Sequence, residues 1–164
     1  MRSKCPSLLC GRRVAAWAIL LAHAVPASAT SDSQAVLSPN QQVTATWRLD
    51  DDQRLQLNIA CQGRHVATAE LGLELAGSGK LEDQLQVADS RRNQRDQSYA
   101  IPVGKSSRAV DRCQELTLLL TETATPGREV LVVVRVFDEG VAFRYILPKQ
   151  AALDDFAITD ELTR

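Results

Sequence analysis

The chain has 164 residues, of which 45% are hydrophobic, 24% charged and 4% aromatic. This length suits one ordinary domain and is too short for a complete (β/α)8 barrel, which needs roughly 250 residues. Its 19 Lys and Arg residues and 20 Asp and Glu residues give a net charge of −1, without a basic run. The chain therefore lacks the positive surface that nucleic-acid binding requires, and nucleic acid is not an expected partner.

The first 29 residues have the pattern of a secretory signal peptide. Basic residues end at Arg13, residues 14–25 are apolar, and small residues follow up to Ala29. Crossing a bilayer as a helix takes about 20 apolar residues, so cleavage after Ala29 is favoured over a retained membrane anchor. The sequence predicts a signal peptide at 1–29, a mature domain at 30–164, and a periplasmic or secreted protein that is free of the membrane after cleavage.

Two of the four cysteines, Cys61 and Cys113, remain in the predicted mature chain. Two alternatives stay open for them in an oxidising compartment. They form a disulfide, which would contribute about 4 kcal/mol by closing a loop of about fifty residues, or they are buried thiols that pack as small apolar side chains. His65 is the only histidine after residue 29 and there is no C-x-x-C motif, so no zinc or other metal site is predicted.

Apolar and polar residues alternate with a period of two along the first half of the mature chain, as expected for half-buried strands. This alternation predicts strands over residues 43–49, 55–61, 64–69 and 71–75. The acidic run at 50–52 separates the first two strands and predicts a hairpin. Residues 89–98 are almost wholly polar and are interpreted as an exposed loop or a ragged edge strand.

The last third predicts an antiparallel meander. Its strands are expected over residues 116–120, 129–137 and 141–147, with turns at Pro126-Gly127 and Asp138-Glu139-Gly140. The run from Val130 to Val134 is typical of a central strand covered on both faces, and glycine at position 140 would tolerate a positive φ in the second turn. Seven or eight strands without a convincing amphipathic helix predict an all-β fold, an antiparallel β-sandwich.

Patterns that indicate catalysis are scarce. Three pairs of acidic residues are neighbours in sequence, at 138–139, 154–155 and 160–161. Neighbours on a strand point to opposite faces, so these pairs are interpreted as turn and cap residues and not as the two carboxylates of glycoside cleavage. Trp47 and Tyr145 are in phase with apolar faces and are predicted to pack in the core. Tyr99 lies in a polar stretch and is the weak candidate for contact with a sugar.

Five segments carry a resemblance to a known family. They are Leu37-Ser38-Pro39-Asn40, Leu71-Gly72-Leu73-Glu74-Leu75, Glu115-Leu116-Thr117, RVFDEGVAFRY from Arg135 to Tyr145, and ITDELT from Ile158 to Thr163. In this order and spacing, they closely resemble the N-terminal domain of glycoside hydrolase family 97. The resemblance covers nearly the whole mature chain, from about Val36 to the last residue.

The resemblance implies a β-super-sandwich of the mutarotase-like type, which precedes a catalytic (β/α)8 barrel in exported bacterial α-glucosidases and α-galactosidases. Those enzymes are calcium-dependent and carry their catalytic residues in the barrel. The resemblance therefore implies no catalytic residue, metal ligand or cofactor in this chain, which would be a truncated product or fragment, inactive alone. The sequence departs from the family pattern at Cys61 and at Cys113-Gln114, and the joint appearance of two cysteines favours the disulfide.

Two other functions stay open. The chain is alternatively a free-standing periplasmic carbohydrate-binding or interaction module, with Tyr99 and residues 89–98 as its contact surface. A further alternative is a non-functional remnant, whose sandwich would expose an apolar patch where a covering partner is missing.

Overall fold

The computed structural model describes residues 34–102 and 104–164. The predicted signal peptide at 1–29 lies outside the described residues. In the described part of the chain, eleven β-strands form three antiparallel sheets. One short 3-10 turn, at Ala151–Leu153, lies between the last two strands. None of the described helical residues forms a helix long and apolar enough to cross a membrane. The predicted all-β fold with antiparallel sheets is confirmed.

The first sheet contains four strands in chain order. They are β1 (Gln34–Leu37), β2 (Val43–Leu49), β3 (Leu55–Cys61) and β4 (Arg64–Leu71). The predicted hairpin is confirmed, because Leu49 pairs with Leu55 next to the acidic turn. In that turn Asp50 Oδ1 accepts the backbone N–H of Asp52 (3.0 Å) and of Arg54 (2.8 Å). The carboxylate thus satisfies two donors that the turn leaves without strand partners.

The second sheet has the strand order β10-β9-β8-β7. Its strands are β7 (Leu85–Ala100), β8 (Arg108–Glu122), β9 (Glu129–Val136) and β10 (Val141–Ile146). The predicted meander is therefore confirmed in β8, β9 and β10. Gly140 does not use the positive φ that glycine tolerates. The turn closes through a hydrogen bond from the Phe137 N–H to the Gly140 carbonyl (2.8 Å).

The polar residues at 89–98 belong to β7, a 16-residue edge strand that pairs with β8 along its whole length. The edge-strand interpretation is confirmed and the loop interpretation is wrong. Because Val136 of β9 pairs with Gln114, residues 95–100 and 108–113 pair, within the part of the chain that the structure describes, only with each other. We call this two-stranded extension the hairpin arm. Most residues of the hairpin arm are exposed and only Cys113, at its base, is buried. This low burial explains why its sequence carries no apolar alternation.

The core lies between these two sheets. Trp47 and Leu57 of the first sheet face Leu116, Leu118 and the even-numbered valines of β9, and all are 2% exposed or less except Val130, at 3%. Trp47 is thus buried as predicted. Val133 points to the opposite face of β9 and is also buried, at 4% exposed, which confirms coverage on both faces at that position.

A buried arginine attaches the third sheet to the second. The third sheet has the order β11-β5-β6, formed by Ile158–Glu161, Leu73–Leu75 and Gly79–Leu81. Arg128 is 5% exposed and donates to the carbonyls of Ser78 and Lys80, each at 2.6 Å. Its Nε donates to Glu122 Oε2, also at 2.6 Å. One guanidinium therefore neutralises a buried carboxylate and satisfies two carbonyls next to β6 and within it.

Replacing Arg128 by methionine should destabilise the protein strongly. The substitution leaves the Glu122 carboxylate buried without its cation, which typically costs about 3–5 kcal/mol. Arg91→Met is the matched control, because the Arg91–Asp89 pair is exposed and such pairs contribute about 1 kcal/mol or less. Urea unfolding of both variants checks the difference. Equal losses in the two variants would contradict the structural role of Arg128.

Candidate functional site

The turn between β1 and β2 is held by its own polar side chains and by a distant aspartate. Ser38 Oγ donates to Asn40 Oδ1 (2.7 Å) and accepts the N–H of Val43 (3.0 Å). The N–H of Asn40 donates to Asp138 Oδ1 (2.8 Å). Two of the segments that carry the family resemblance, at 37–40 and 135–145, therefore meet at this end of the sandwich.

A groove opens beside this turn, between β1 and the strands β7 and β8. Its lining consists of Val36, Leu37, Ser38, Pro39, Gln41, Arg92, Gln114 and Glu115. The volume of the groove is about 430 Å³, within the range of 300–1,000 Å³ that is usual for small-molecule sites. We take this groove as the candidate functional site.

Hydrogen-bonding side chains enter the groove from the second sheet. Arg92 of β7 donates through Nη2 to Gln34 Oε1 (3.3 Å), and Gln114 of β8 lies on the same strand face as Leu116. Glu115 borders the groove, but as the next residue of β8 it directs its carboxylate to the opposite face. Guanidinium and amide groups bind hydroxyl or carboxylate oxygens well. Glu115 is the only carboxylate among the described lining residues. Glycoside cleavage needs two carboxyl groups, so this arrangement suits binding of a polar ligand and not hydrolysis.

The carboxylate of Glu115 also takes part in a cluster of ion pairs. Glu115 Oε2 accepts from Arg135 Nε at 2.7 Å and lies 3.7 Å from Arg95 Nη1. Arg95 Nε in turn donates to Asp111 Oδ2 at 3.1 Å. The hydrogen bond to Glu115 raises the pKa of the Arg135 guanidinium. The charge of Glu115 is neutralised by this pairing.

The two cysteines of the mature chain are free thiols in the structure. Cys61 is exposed at the end of β3, whereas Cys113 is fully buried in β8. The disulfide that the sequence left open is not formed in this structure. The physical reason is that Cys113 shares its strand face with Asp111 and Glu115, away from the core and from the sheet of Cys61. The alternative of buried thiols holds for Cys113 and is wrong for Cys61.

Burial raises the pKa of the Cys113 thiol, and the nearby Asp111 carboxylate raises it further. The thiol lies under the ion-pair cluster and its Sγ is 3.8 Å from Asp111 Oδ1. A buried thiol with a raised pKa is a poor nucleophile. Cys113 therefore fits a packing role and not a reactive one.

Tyr99 lies on the hairpin arm, opposite Ala109, and is 59% exposed. Its predicted exposure is confirmed, but it is not among the residues that line the groove. The groove residues that the sequence analysis missed are Arg92 and Gln114. Arg92 belongs to the polar segment at 89–98 that had been singled out as a contact surface. Gln114 stands out in the sequence only as part of the departure from the family pattern at Cys113-Gln114.

No metal centre is found within residues 34–102 and 104–164. In these ranges there is no group of three or more His, Cys, Asp or Glu side chains that could hold a metal ion. The calcium ion implied by the family resemblance therefore does not fit the described residues, and no chemistry of this chain is derived through it.

Tyr145 joins the remaining family-like segments. Its hydroxyl lies 3.0 Å from Thr163 Oγ1 and 3.5 Å from the carbonyl of Gly72, so segments 71–75, 135–145 and 158–163 meet here. Gly72 is required at this point, because a Cβ would lie 2.7 Å from the Cβ of Glu82. Burial raises the pKa of Tyr145. As predicted, Tyr145 packs against the core, with its ring edge-to-face against Phe143.

The free energy of unfolding of the Tyr145→Phe variant should depend less on alkaline pH than that of the wild type. The fold favours the neutral hydroxyl, so its contribution to stability is complete below the unfolded-state pKa of about 10 and is lost as the pH rises through the raised pKa. The free energy of unfolding, measured by urea titration from pH 8 to 11, should fall less steeply in the variant. Tyr99→Phe, at an exposed position, is the control and should retain the wild-type slope. Parallel slopes for the wild type and Tyr145→Phe would contradict this role.

A family model and several solved structures are similar to this chain. The family model described as "Glycosyl-hydrolase 97 N-terminal" matches residues 36–164. A glycoside hydrolase family 97 enzyme from Pseudoalteromonas sp. strain K8, solved in complex with panose and with acarbose, superimposes with a TM-score of 0.73 and 25% identity. The match covers 79% of this chain and 20% of that enzyme.

A β-arabinopyranosidase has the same fold, with a TM-score of 0.70 and 23% identity over 78% of this chain and 20% of its own. The chain thus spans about one fifth of the length of these solved enzymes. Among the curated proteins, none matches this sequence.

Proposed function

Because the chain belongs to the N-terminal domain family of glycoside hydrolase family 97, we propose that it is the non-catalytic β-sandwich of an exported glycoside hydrolase. The observation that carries this proposal is the family match over residues 36–164. The chain corresponds to only 20% of the solved family 97 enzyme, which also supports the proposal. The catalytic (β/α)8 barrel of a full-length enzyme is then the principal partner of the domain.

The state of the acidic side chains supports a role without catalysis. Glu115 and Glu122 are each bound to an arginine, and Asp138 accepts the backbone N–H of Asn40. A carboxylate engaged in this way holds the structure together and is not presented to a bound sugar. The groove adds only Glu115 as a carboxylate among its described residues, whereas bond cleavage requires a pair.

The proposed substrates of the full-length enzyme are α-glucosides or α-galactosides. The complexes of the Pseudoalteromonas enzyme with panose and acarbose support the first class. The bond-breaking carboxylates and the calcium ion belong, in this proposal, to the barrel. The signal pattern of residues 1–29 supports export to the periplasm or the medium.

The purified chain should not hydrolyse glycosides. Incubation with calcium and with nitrophenyl α-glucoside and α-galactoside is expected to release nitrophenol no faster than a heat-treated sample does, because the described lining of the groove includes one acidic residue, Glu115, and glycoside cleavage needs two. Release that exceeds this control and is proportional to protein concentration would contradict the proposal.

The groove favours a second candidate function, a carbohydrate-binding or interaction module. Its volume of about 430 Å³ and its donors from Arg92 and Gln114 suit a mono- or disaccharide. This candidate predicts saturable heat in calorimetric titrations with maltose or melibiose, and loss of that heat in Arg92→Ala. Tyr99→Ala is the companion variant, because loss of binding there would place the sugar on the hairpin arm. Absence of saturable heat with both sugars would exclude this function for them.

A further inference from the structure

Among residues 34–102 and 104–164, the outer edge of β4 is paired only at one end. The strand is the last of its sheet, in the order β1-β2-β3-β4. At its C-terminal end, the N–H of Arg164 donates to the Glu70 carbonyl (3.1 Å), and the N–H of Glu70 donates to the Arg164 carbonyl (2.8 Å). The N–H of Leu162 donates to the Gly72 carbonyl (3.0 Å). The chain therefore already runs antiparallel to β4 as it reaches Arg164.

The register of this ladder is defined by the bonds that are present. Glu70 and Arg164 exchange both backbone hydrogen bonds, which is the arrangement of a hydrogen-bonded antiparallel pair. Such pairs recur every second residue. The next outward-facing backbone groups of β4 are therefore those of Thr68, and they lie opposite the second residue after Arg164.

The side chains along this edge indicate which strand would fit. Ala67 and Ala69 are in phase with the core residue Leu71, and Ala67 is exposed. Thr68 and Glu70 point to the outer face, where Thr68 Oγ1 donates to Asn58 Oδ1 (2.8 Å). The fitting strand would carry apolar residues opposite the two alanines and a polar residue opposite Thr68.

We propose that the open edge of β4 accepts one more antiparallel strand, formed by the residues that directly follow Arg164 in the longer enzyme. This inference rests on the proposed function, because it needs a polypeptide that continues beyond residue 164. The strand would add to an existing ladder without a loop, so its entropic cost of docking is small. Pairing with the β4 edge of a second copy is disfavoured, because Val66 forms a bulge between the Ile59–Ala67 and Ala60–His65 pairs, and bulges disrupt edge-to-edge pairing.

The test uses the full 164-residue chain and the same chain extended by valine, threonine, valine and threonine. Amide hydrogen exchange is measured by NMR. The Thr68 amide should exchange at least about tenfold more slowly in the extended chain, because it gains a hydrogen-bond acceptor. The amide of Asn58 in the interior strand β3 is the internal reference and should not change.

The control extension has proline in place of the first threonine. Proline lacks the N–H that the Thr68 carbonyl would accept, so the pair opposite Thr68 loses one of its two hydrogen bonds. The added strand is held less firmly, and the Thr68 amide should be less protected than in the threonine extension. Equal exchange at Thr68 in all three chains would overturn the proposal. Protection in the unextended chain that rises with concentration, together with a dimer in sedimentation, would also overturn it in favour of a second copy.

The DNA sequence after codon 164 tests this inference and the proposed function separately. A barrel encoded downstream, with proline as the second residue after Arg164, would support the proposed function and contradict the strand. A stop codon directly after residue 164 would contradict the longer enzyme, whereas exchange in the extended chain would still show whether the edge accepts a strand.

Discussion

Packing of Trp47 and Leu57 against Leu116 and Leu118 is the interaction on which the rest of the structure depends. Each of the two large sheets has one apolar face, and neither face is stable in water alone. Burial of both faces against each other aligns the sheets and places the turns at the two ends of the sandwich. All other contacts, including the groove beside the β1–β2 turn, are positioned by this alignment.

The segments that carry the family resemblance have a common structural meaning. They lie far apart in sequence but meet through hydrogen bonds, from Asn40 to Asp138 at one end and around Tyr145 where the third sheet joins. Gly72 permits a backbone approach that no other residue allows. These residues hold three sheets in one arrangement, which is a sufficient physical reason for their presence in a domain without catalytic groups.

Charged residues serve the fold in the same way. Arg128 and Glu122 are both nearly inaccessible and connect the third sheet to the second, and Arg135 and Glu115 cover the outer face of β8 above the Cys113 thiol. Each of these carboxylates has an arginine partner. The groove and, among the described residues, the open edge of β4 still present polar groups to a partner.

The sequence by itself determined the all-β fold, the hairpin over residues 43–61, the meander after residue 116 and the burial of Trp47, because a period of two and turn residues are local signals. The family resemblance likewise rested on short strings that this chain contains. Only the tertiary structure decided that 89–98 is an edge strand, that Cys61 and Cys113 belong to different sheets, and that Arg92 and Gln114 line one groove. These features depend on which strands become neighbours, and strand pairing joins residues whose separation along the chain leaves no local pattern.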